Sequence, residues 1–129
     1  YILPVYGAGL WDAIWGFVAL NPDLKSVKGI SFDHKGETPG LGARITSDDV
    51  QERYRGKQLY NDNGEFVAIT MVKGEKIPED RLGPNKVDGL AGATLTANGV
   101  NDMLLNYIGY YQKYFDKNVK GGAVSLNNQ

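Results

Sequence analysis

Residues 87–100, with the sequence VDGLAGATLTANGV, place glycines and threonine hydroxyls directly before a helical pattern. The unpaired N–H groups and the dipole at a helix N-terminus favour an anion by about 0.3–1 kcal/mol. A phosphate group is therefore one ligand that suits this segment. From the pattern alone, the more ordinary interpretation is that Thr94 or Thr96 is an N-cap hydroxyl, with glycines that only turn the chain. The local pattern leaves both interpretations open.

The other residues that could do chemistry form weaker patterns. The chain has no cysteine, which excludes disulfides, thiolate metal sites and a thiol nucleophile. His34 is the single histidine, and even beside Glu37 it makes a poor metal site, so we expect it to be solvated at a loop end. Asp48 and Asp49 are typical of a helix N-terminal turn rather than of a catalytic pair. We expect no catalytic residue and no metal site.

The strands that would position residues 87–100 are predicted from alternation and turn signals. Residues 5–20 indicate two extended segments, and residues 25–34 a further strand. Segments 58–61 and 66–72 flank the turn sequence NDNG and predict a hairpin.

Two helices are predicted. Ser47 is an N-cap candidate for a short helix that ends near Tyr54. Apolar residues at i, i+3, i+4 spacing predict the main helix over residues 97–115. Residues 74–92 form a long polar connection, a length typical of segments that serve a site. Residues 121–129 are predicted to be a polar tail.

Length and charge limit the architecture and the partners. With 129 residues, we expect a single domain over residues 1–129. The fold class is α+β: a mostly antiparallel twisted sheet with a long C-terminal helix and a short helix packed on it. The net charge of −1 leaves no surplus of cations for nucleic acid. The longest apolar run has eight residues, 13–20, against about 20 needed to span a bilayer.

The stretch DGLAGAT at residues 88–94, followed by LT and an NGV helix start, resembles the flavinylation motif of FMN-binding domains whose FMN is esterified to a threonine. The implied attachment residue is Thr94. GLWD at 9–12, HKGETPGLG at 34–42 and VKG at 72–74 resemble family segments that line the flavin. The pattern looks most like the C subunits of Na⁺-translocating NADH:quinone oxidoreductases, with the G subunits of Rnf-type complexes as the alternative. The family commonly has Ser or Thr in place of this chain's Ala91.

The resemblance implies a set of cofactor-binding residues around Thr94. We expect two side chains to pack on the isoalloxazine, the 37–42 backbone to bond its polar edge, and one lysine to stabilise the charge that develops on reduction. Without the resemblance, these residues are equally compatible with core packing, a tight turn and a solvated lysine. The set is Leu10, Trp11, Glu37, Thr38, Gly40, Leu41, Gly42, Lys73, Asp88, Gly92, Ala93, Leu95 and Thr96.

For function, the resemblance implies an electron-transfer subunit that relays electrons between an iron–sulfur centre and another flavin subunit. Its partners would be other membrane subunits of a respiratory complex in the bacterial inner membrane. A single-pass anchor is expected upstream of this chain, with the domain on the periplasmic side. No GxGxxG fingerprint for NADH is present, so we expect no turnover by the isolated domain.

Covalent attachment of FMN is expected to require a separate enzyme. Thr94 has no neighbouring His or Lys in sequence to activate its hydroxyl, so we expect a separate flavin transferase. The family implies FAD as the donor, together with a divalent metal. Two other interpretations stay open: a module that binds FMN or another phosphate ligand reversibly, and a structural domain with Ala91 that has lost its flavin.

Overall fold

The computed structural model describes residues 1–121. The predicted tail therefore lies outside the described residues, apart from Gly121, which ends the last helix. The elements in chain order are β1 (Ile2–Ala8), β2 (Ala13–Leu20), β3 (Val27–His34), a 3-10 helix (Gly42–Thr46), α1 (Asp48–Glu52), β4 (Thr70–Met71), α2 (Glu79–Leu82), β5 (Lys86–Val87) and α3 (Thr94–Gly121).

Strands β1, β2 and β3 form an antiparallel sheet with β2 in the centre. Alternation along the strands selects the core face, and Val5, Ile14 and Val18 are fully buried. The two extended segments and the third strand predicted from the sequence are confirmed. The predicted α+β class, with a mostly antiparallel sheet, a long C-terminal helix and short helices, is confirmed as well.

Helix α3 packs against β1 through the predicted apolar stripe, in which Val100, Met103, Leu104 and Ile108 are buried. The helix begins at Thr94, three residues before its predicted start. At Gly99 the helix approaches the end of β1 so closely that a Cβ would overlap the carbonyl oxygen of Ala8. The first turns of α3 are thus set directly against the turn between β1 and β2. Across residues 1–121, no helix combines the length and apolarity that a membrane crossing requires.

The predicted hairpin is wrong in extent. Its NDNG turn forms, but the strands are reduced to a single bridge between Tyr60 and Phe66. Ala68 has φ +57°, and its N–H and that of Val67 both donate to the Leu59 carbonyl, which breaks the alternation. The chain then leaves this pairing for a short parallel pair.

That parallel pair joins β4 to β5, with Met71 opposite Val87. Both β5 and helix α2 lie inside the segment predicted as a polar connection, and neither was predicted. The predicted short helix is confirmed as α1, where the Ser47 side chain accepts a hydrogen bond from the Val50 N–H.

Candidate functional site

Thr94 is the first residue of α3, and it is exposed. It borders a small surface cavity of about 40 Å³, which Lys73 and Asn98 also line. The structure thus brings the predicted attachment residue and the predicted lysine to one cavity. The other lining residues are Met71, Val72, Gly74, Leu90 and Ala97.

The loop of residues 88–93 reaches Thr94 through two glycines whose geometry excludes larger residues. Gly92 has φ +74°, a backbone conformation that residues with a Cβ rarely adopt. At Gly89, a Cβ would overlap the carbonyl oxygen of Val72. The backbone of this loop therefore lies directly on the segment that follows β4.

The Asp88 carboxylate ties the same loop to that segment. It accepts hydrogen bonds from the backbone N–H groups of Lys76 and Ile77, both at 3.0 Å. Each carboxylate oxygen thus has a partner within the protein, and the side chain shapes the loop. A contact between Asp88 and a cofactor stays a prediction.

Glu75 holds the loop through a different carboxylate. Its two oxygens accept from the terminal nitrogens of Arg44, both at 2.7 Å, and Oε2 also accepts from Arg53 at 3.0 Å. The Ala91 N–H donates to Oε1 at 2.7 Å. These bonds, with that from Arg44 the strongest, hold the pKa of Glu75 well below its usual range. The ionised Glu75 carboxylate therefore binds a backbone N–H group three residues before Thr94.

A third carboxylate, Glu37, lies beneath the turn between β1 and β2. Oε1 accepts from the Leu10 N–H at 2.9 Å and from the Thr96 hydroxyl at 2.5 Å, and Oε2 accepts from the Trp11 N–H at 3.0 Å. Burial alone would raise the pKa of Glu37, but the hydrogen bonds that it accepts outweigh burial and lower it. Ionised Glu37 thus joins the turn to the start of α3.

Exposed apolar side chains lie in the segments that meet at this end of α3. Trp11 projects from the turn held by Glu37, and its indole N–H donates to the Thr38 hydroxyl at 3.2 Å. Apolar surface gathered in one region is typical of a ligand or partner site. The exposed fractions are 68% for Trp11, 60% for Leu95, 44% for Leu10 and 42% for Leu41.

The remaining predicted residues shape the backbone around these side chains. Gly40 has φ +79° in the loop after β3. Gly42 is buried, and a Cβ there would overlap the Thr96 hydroxyl. Ala93 is buried and precedes the first residue of α3, so neither Thr94 nor Thr96 is the N-cap residue of the helix. The N-cap interpretation of the two threonines is wrong.

The structure also adds residues that sequence reasoning missed. Arg44, Arg53 and Glu75 belong to the surroundings of Thr94, yet nothing in their local sequence signals it, because their contacts join distant parts of the chain. His34 is half-buried rather than solvated: its Nδ1 accepts a hydrogen bond from the Glu37 N–H at 3.0 Å. The histidine therefore supports the loop that carries the Glu37 carboxylate.

The segments that form this site match the model of a known protein family. The model of the FMN-binding domain matches residues 9–109. This chain belongs to the FMN-binding domain family. The match covers the turn with Trp11, the loop with Glu37 and the attachment loop before Thr94, so all parts of the site lie within the family domain.

The chain is similar in sequence to the C subunit of the Na⁺-translocating NADH-quinone reductase. The chain is 45% identical over 108 residues to the C subunit from Yersinia pestis and 44% identical over 108 residues to that from Pseudomonas aeruginosa; both alignments cover 84% of this chain. They cover 39% and 41% of those relatives, so the chain spans about two fifths of their length.

Solved structures agree. The C subunit of the Na⁺-translocating NADH-quinone reductase from Parabacteroides distasonis matches with a TM-score of 0.79 and 38% identity, over 88% of this chain and 55% of that one. Shewanella oneidensis NqrC matches with a TM-score of 0.79 and 37% identity, over 90% of this chain and 52% of that one. Fold and sequence therefore indicate the same relatives.

Proposed function

We propose that this domain carries FMN as a phosphoester on Thr94 and serves as an electron-transfer subunit of a Na⁺-translocating NADH:quinone oxidoreductase. In that role it relays electrons between an iron–sulfur centre and another flavin subunit. The observation that carries the proposal is the position of Thr94: an exposed hydroxyl at the first residue of a long helix, in a chain of the FMN-binding domain family.

The residues around Thr94 suit a tethered flavin phosphate. The N-terminus of α3 favours a single negative charge, and Lys73 lines the same cavity. A phosphodiester carries one charge, so the absence of Lys and Arg from residues 87–103 is compatible with it. The cavity of about 40 Å³ is far smaller than an isoalloxazine ring. The ring would therefore rest on the exposed surface, for which Trp11 is the largest apolar platform.

An open site of this kind suits a relay. When bound, FMN supplies a carrier that accepts and donates electrons one or two at a time. A covalent tether keeps its local concentration at about the millimolar level without an enclosing pocket, which leaves the ring edge accessible to a donor and an acceptor. Lys73 would stabilise the negative charge of the reduced ring. Leu10 and Trp11 would provide a rigid apolar contact, since Glu37 holds their backbone.

The proposed attachment uses a flavin transferase with FAD as donor and a divalent metal. A bond forms between the Thr94 Oγ and the FMN phosphorus, the pyrophosphate bond of FAD breaks, AMP leaves, and the hydroxyl proton passes to a base of the transferase. The site residues of this chain act as the acceptor surface for that reaction.

The proposed partners are other membrane subunits of the respiratory complex, and the proposed location is the bacterial inner membrane. A single-pass anchor upstream of this chain would hold the domain on the periplasmic side. The relatives from Yersinia pestis and Pseudomonas aeruginosa are more than twice as long as the matched region, which leaves room for such a segment.

The test is the intact mass under denaturing conditions after co-expression with an active flavin transferase. We expect the chain to gain one FMN less one water, Thr94→Val to gain nothing and Thr94→Ser to retain the modification. Thr46→Val is the matched control, since Thr46 is also exposed but lies on the 3-10 helix. Modification of Thr94→Val would contradict the attachment site, and flavin that leaves on denaturation would indicate reversible binding.

A further inference from the structure

A cluster of three charged side chains from outside the DGLAGAT segment lies beside the loop that precedes Thr94: Arg53 and Glu75 bind the loop, and Arg44 binds Glu75. Arg44 comes from the 3-10 helix, Arg53 from the residue after α1, and Glu75 from the segment after β4. Their side chains are 29%, 15% and 18% exposed, respectively, so the ion pairs are largely shielded from solvent. Such pairs hold a geometry far better than surface pairs.

This cluster binds both a backbone carbonyl and a backbone N–H group of the loop. The Nη1 of Arg53 donates to the Gly89 carbonyl at 2.9 Å, and Glu75 accepts from the Ala91 N–H at 2.7 Å. The Nη2 of Arg53 bonds Glu75 at 3.0 Å and Asp49 at 2.9 Å. A cation and an anion that bind each other thus hold a carbonyl and an amide two residues apart. A shift of the loop relative to this cluster would break the charged hydrogen bond at Gly89 or at Ala91.

The same region joins the two walls of the cavity beside Thr94. One wall is formed by residues 71–74 and the other by Leu90 and the first turn of α3. The Gly89 N–H donates to the Gly74 carbonyl at 2.7 Å. Glu75 directly follows the first wall and accepts a hydrogen bond from Ala91, the residue after Leu90 of the second wall, so it links the two walls.

We propose that Glu75, Arg44 and Arg53 are positioning residues for the modification of Thr94. They hold residues 88–91 in one conformation, which presents Thr94 to the flavin transferase in a preformed loop. This inference rests on the proposed covalent attachment. Without the cluster, the loop would spend only a fraction of the time in the binding-competent conformation. The apparent affinity of the transferase for the chain would fall by that fraction.

The experiment measures initial rates of FMN attachment at increasing concentrations of the unmodified chain, with purified flavin transferase, FAD and Mg²⁺. For Glu75→Ala and Arg53→Ala we expect the KM for the chain to rise about tenfold, with kcat within about twofold of wild type. Glu75→Gln keeps an acceptor for Ala91 and should lie between. The matched control is Arg55→Ala, because the Arg55 side chain pairs with Glu52 at the exposed surface, away from the loop.

A second readout follows the loop itself. The amide hydrogen of Ala91 should exchange with solvent about tenfold faster in Glu75→Ala than in wild type, because its acceptor is gone. In Arg55→Ala its exchange should be unchanged. If Glu75→Ala fails to fold, as judged by circular dichroism, the same comparison is made with Glu75→Gln and Arg53→Ala.

The outcomes separate the two proposals. A modified wild type whose cluster variants keep the wild-type KM overturns the positioning role and leaves the attachment site intact. A cluster variant whose KM rises only in proportion to its loss of folded fraction also overturns it, since that is a purely structural effect. A wild type that an active transferase does not modify overturns the proposed attachment, and the positioning role with it.

Discussion

Two carboxylates hold loops to the start of α3, and they do so with different partners. Glu37 is 4% exposed and binds neutral donors, two backbone N–H groups and the Thr96 hydroxyl. Glu75 binds two guanidinium groups and one backbone N–H. The first carboxylate is buried beneath an exposed turn, whereas the second neutralises two partly buried cations.

The difference indicates which carboxylate contributes more to the free energy of unfolding and which one mainly fixes the geometry of the attachment loop. Loss of Glu37 would leave the buried Thr96 hydroxyl and two part-buried N–H groups without an acceptor, and that is costly. Loss of Glu75 would leave Arg53 with Asp49 and the Gly89 carbonyl as partners, so less free energy of unfolding is at risk. We therefore expect Glu37 to matter most for folding and Glu75 for the geometry of the attachment loop.

The largest expected effect is that of Glu37→Ala. The buried Thr96 hydroxyl loses its acceptor at about 1–3 kcal/mol, and two part-buried N–H groups each lose a bond worth about 0.5–1.5 kcal/mol, so the free energy of unfolding should fall by about 2–6 kcal/mol. Glu75→Ala should cost about 1–2 kcal/mol. Urea unfolding measures both values. The control is exposed Glu65→Ala, expected to change stability by less than about 0.5 kcal/mol. Equal losses for Glu37 and Glu75 would remove the contrast.

Two glycine substitutions test the surroundings of Glu37 and the attachment loop separately, because each introduces a steric clash at one of them. In Gly42→Ala the new Cβ meets the Thr96 hydroxyl and the Glu37 carboxylate, whereas in Gly89→Ala it meets the Val72 carbonyl. Each should lower the free energy of unfolding by about 1–3 kcal/mol. Only Gly42→Ala should alter Trp11 fluorescence, because it disturbs the carboxylate that holds the turn.

The control for both is Gly29→Ala, where a Cβ meets nothing within 4 Å and the backbone needs no positive φ. Its stability should stay within about 0.5 kcal/mol of wild type. A loss at Gly29 as large as at Gly42 would show that the effects do not come from these contacts.

Acid should reduce the stability that Glu37 and Glu75 contribute, and for Glu75 the loss should extend to lower pH. Both folded-state pKa values lie below the usual 4.5, so the ionised carboxylates contribute stability that is fully present above that value. The contribution is lost as pH falls through the folded-state pKa. The free energy of unfolding, measured from about pH 6 to about pH 3, should therefore fall, and less steeply in Glu75→Gln and Glu37→Gln. Unchanged slopes in both variants would contradict these shifts.

The smallest expected effect concerns the modified protein. Lys73→Ala should lower the midpoint potential of the attached flavin by about 5–20 mV, since an exposed charge interaction is worth about 0.2–1 kcal/mol. Spectroelectrochemical titration measures it. Lys86→Ala is the control, because that exposed lysine lies on β5 and not at the cavity. An unchanged potential in Lys73→Ala would remove the residue from this role.

The parts of the fold that sequence analysis predicted are those that depend on local periodicity. The apolar stripe around Met103 and the alternation around Val18 each follow from side chains that share one face. The β4–β5 pair was missed because two residues carry no periodic signal and the pairing is parallel. The positive φ of Ala68, which ends the expected hairpin, has no local signature either.

The site shows the same division. The resemblance named Thr94 and Lys73, and the structure places both at one cavity, while their roles toward a flavin stay predictions. Glu37 was expected to act through its backbone, whereas the structure shows its carboxylate at work inside the protein. The bond from Arg44 to Glu75 joins residues 31 positions apart, a separation at which a single sequence gives no pairing signal.

At Gly99 the first turns of α3 lie directly against the Ala8 carbonyl at the end of β1, with no room for a side chain between them. With FMN attached at Thr94, any swing of the ring toward a donor or an acceptor would come from rotation within the phosphate–ribityl linker. The radius of that swing would be the length of the linker, a constant of the cofactor. The ring could then reach only points within one linker length of the Thr94 Oγ. Partner subunits would have to bring both redox centres close to that region.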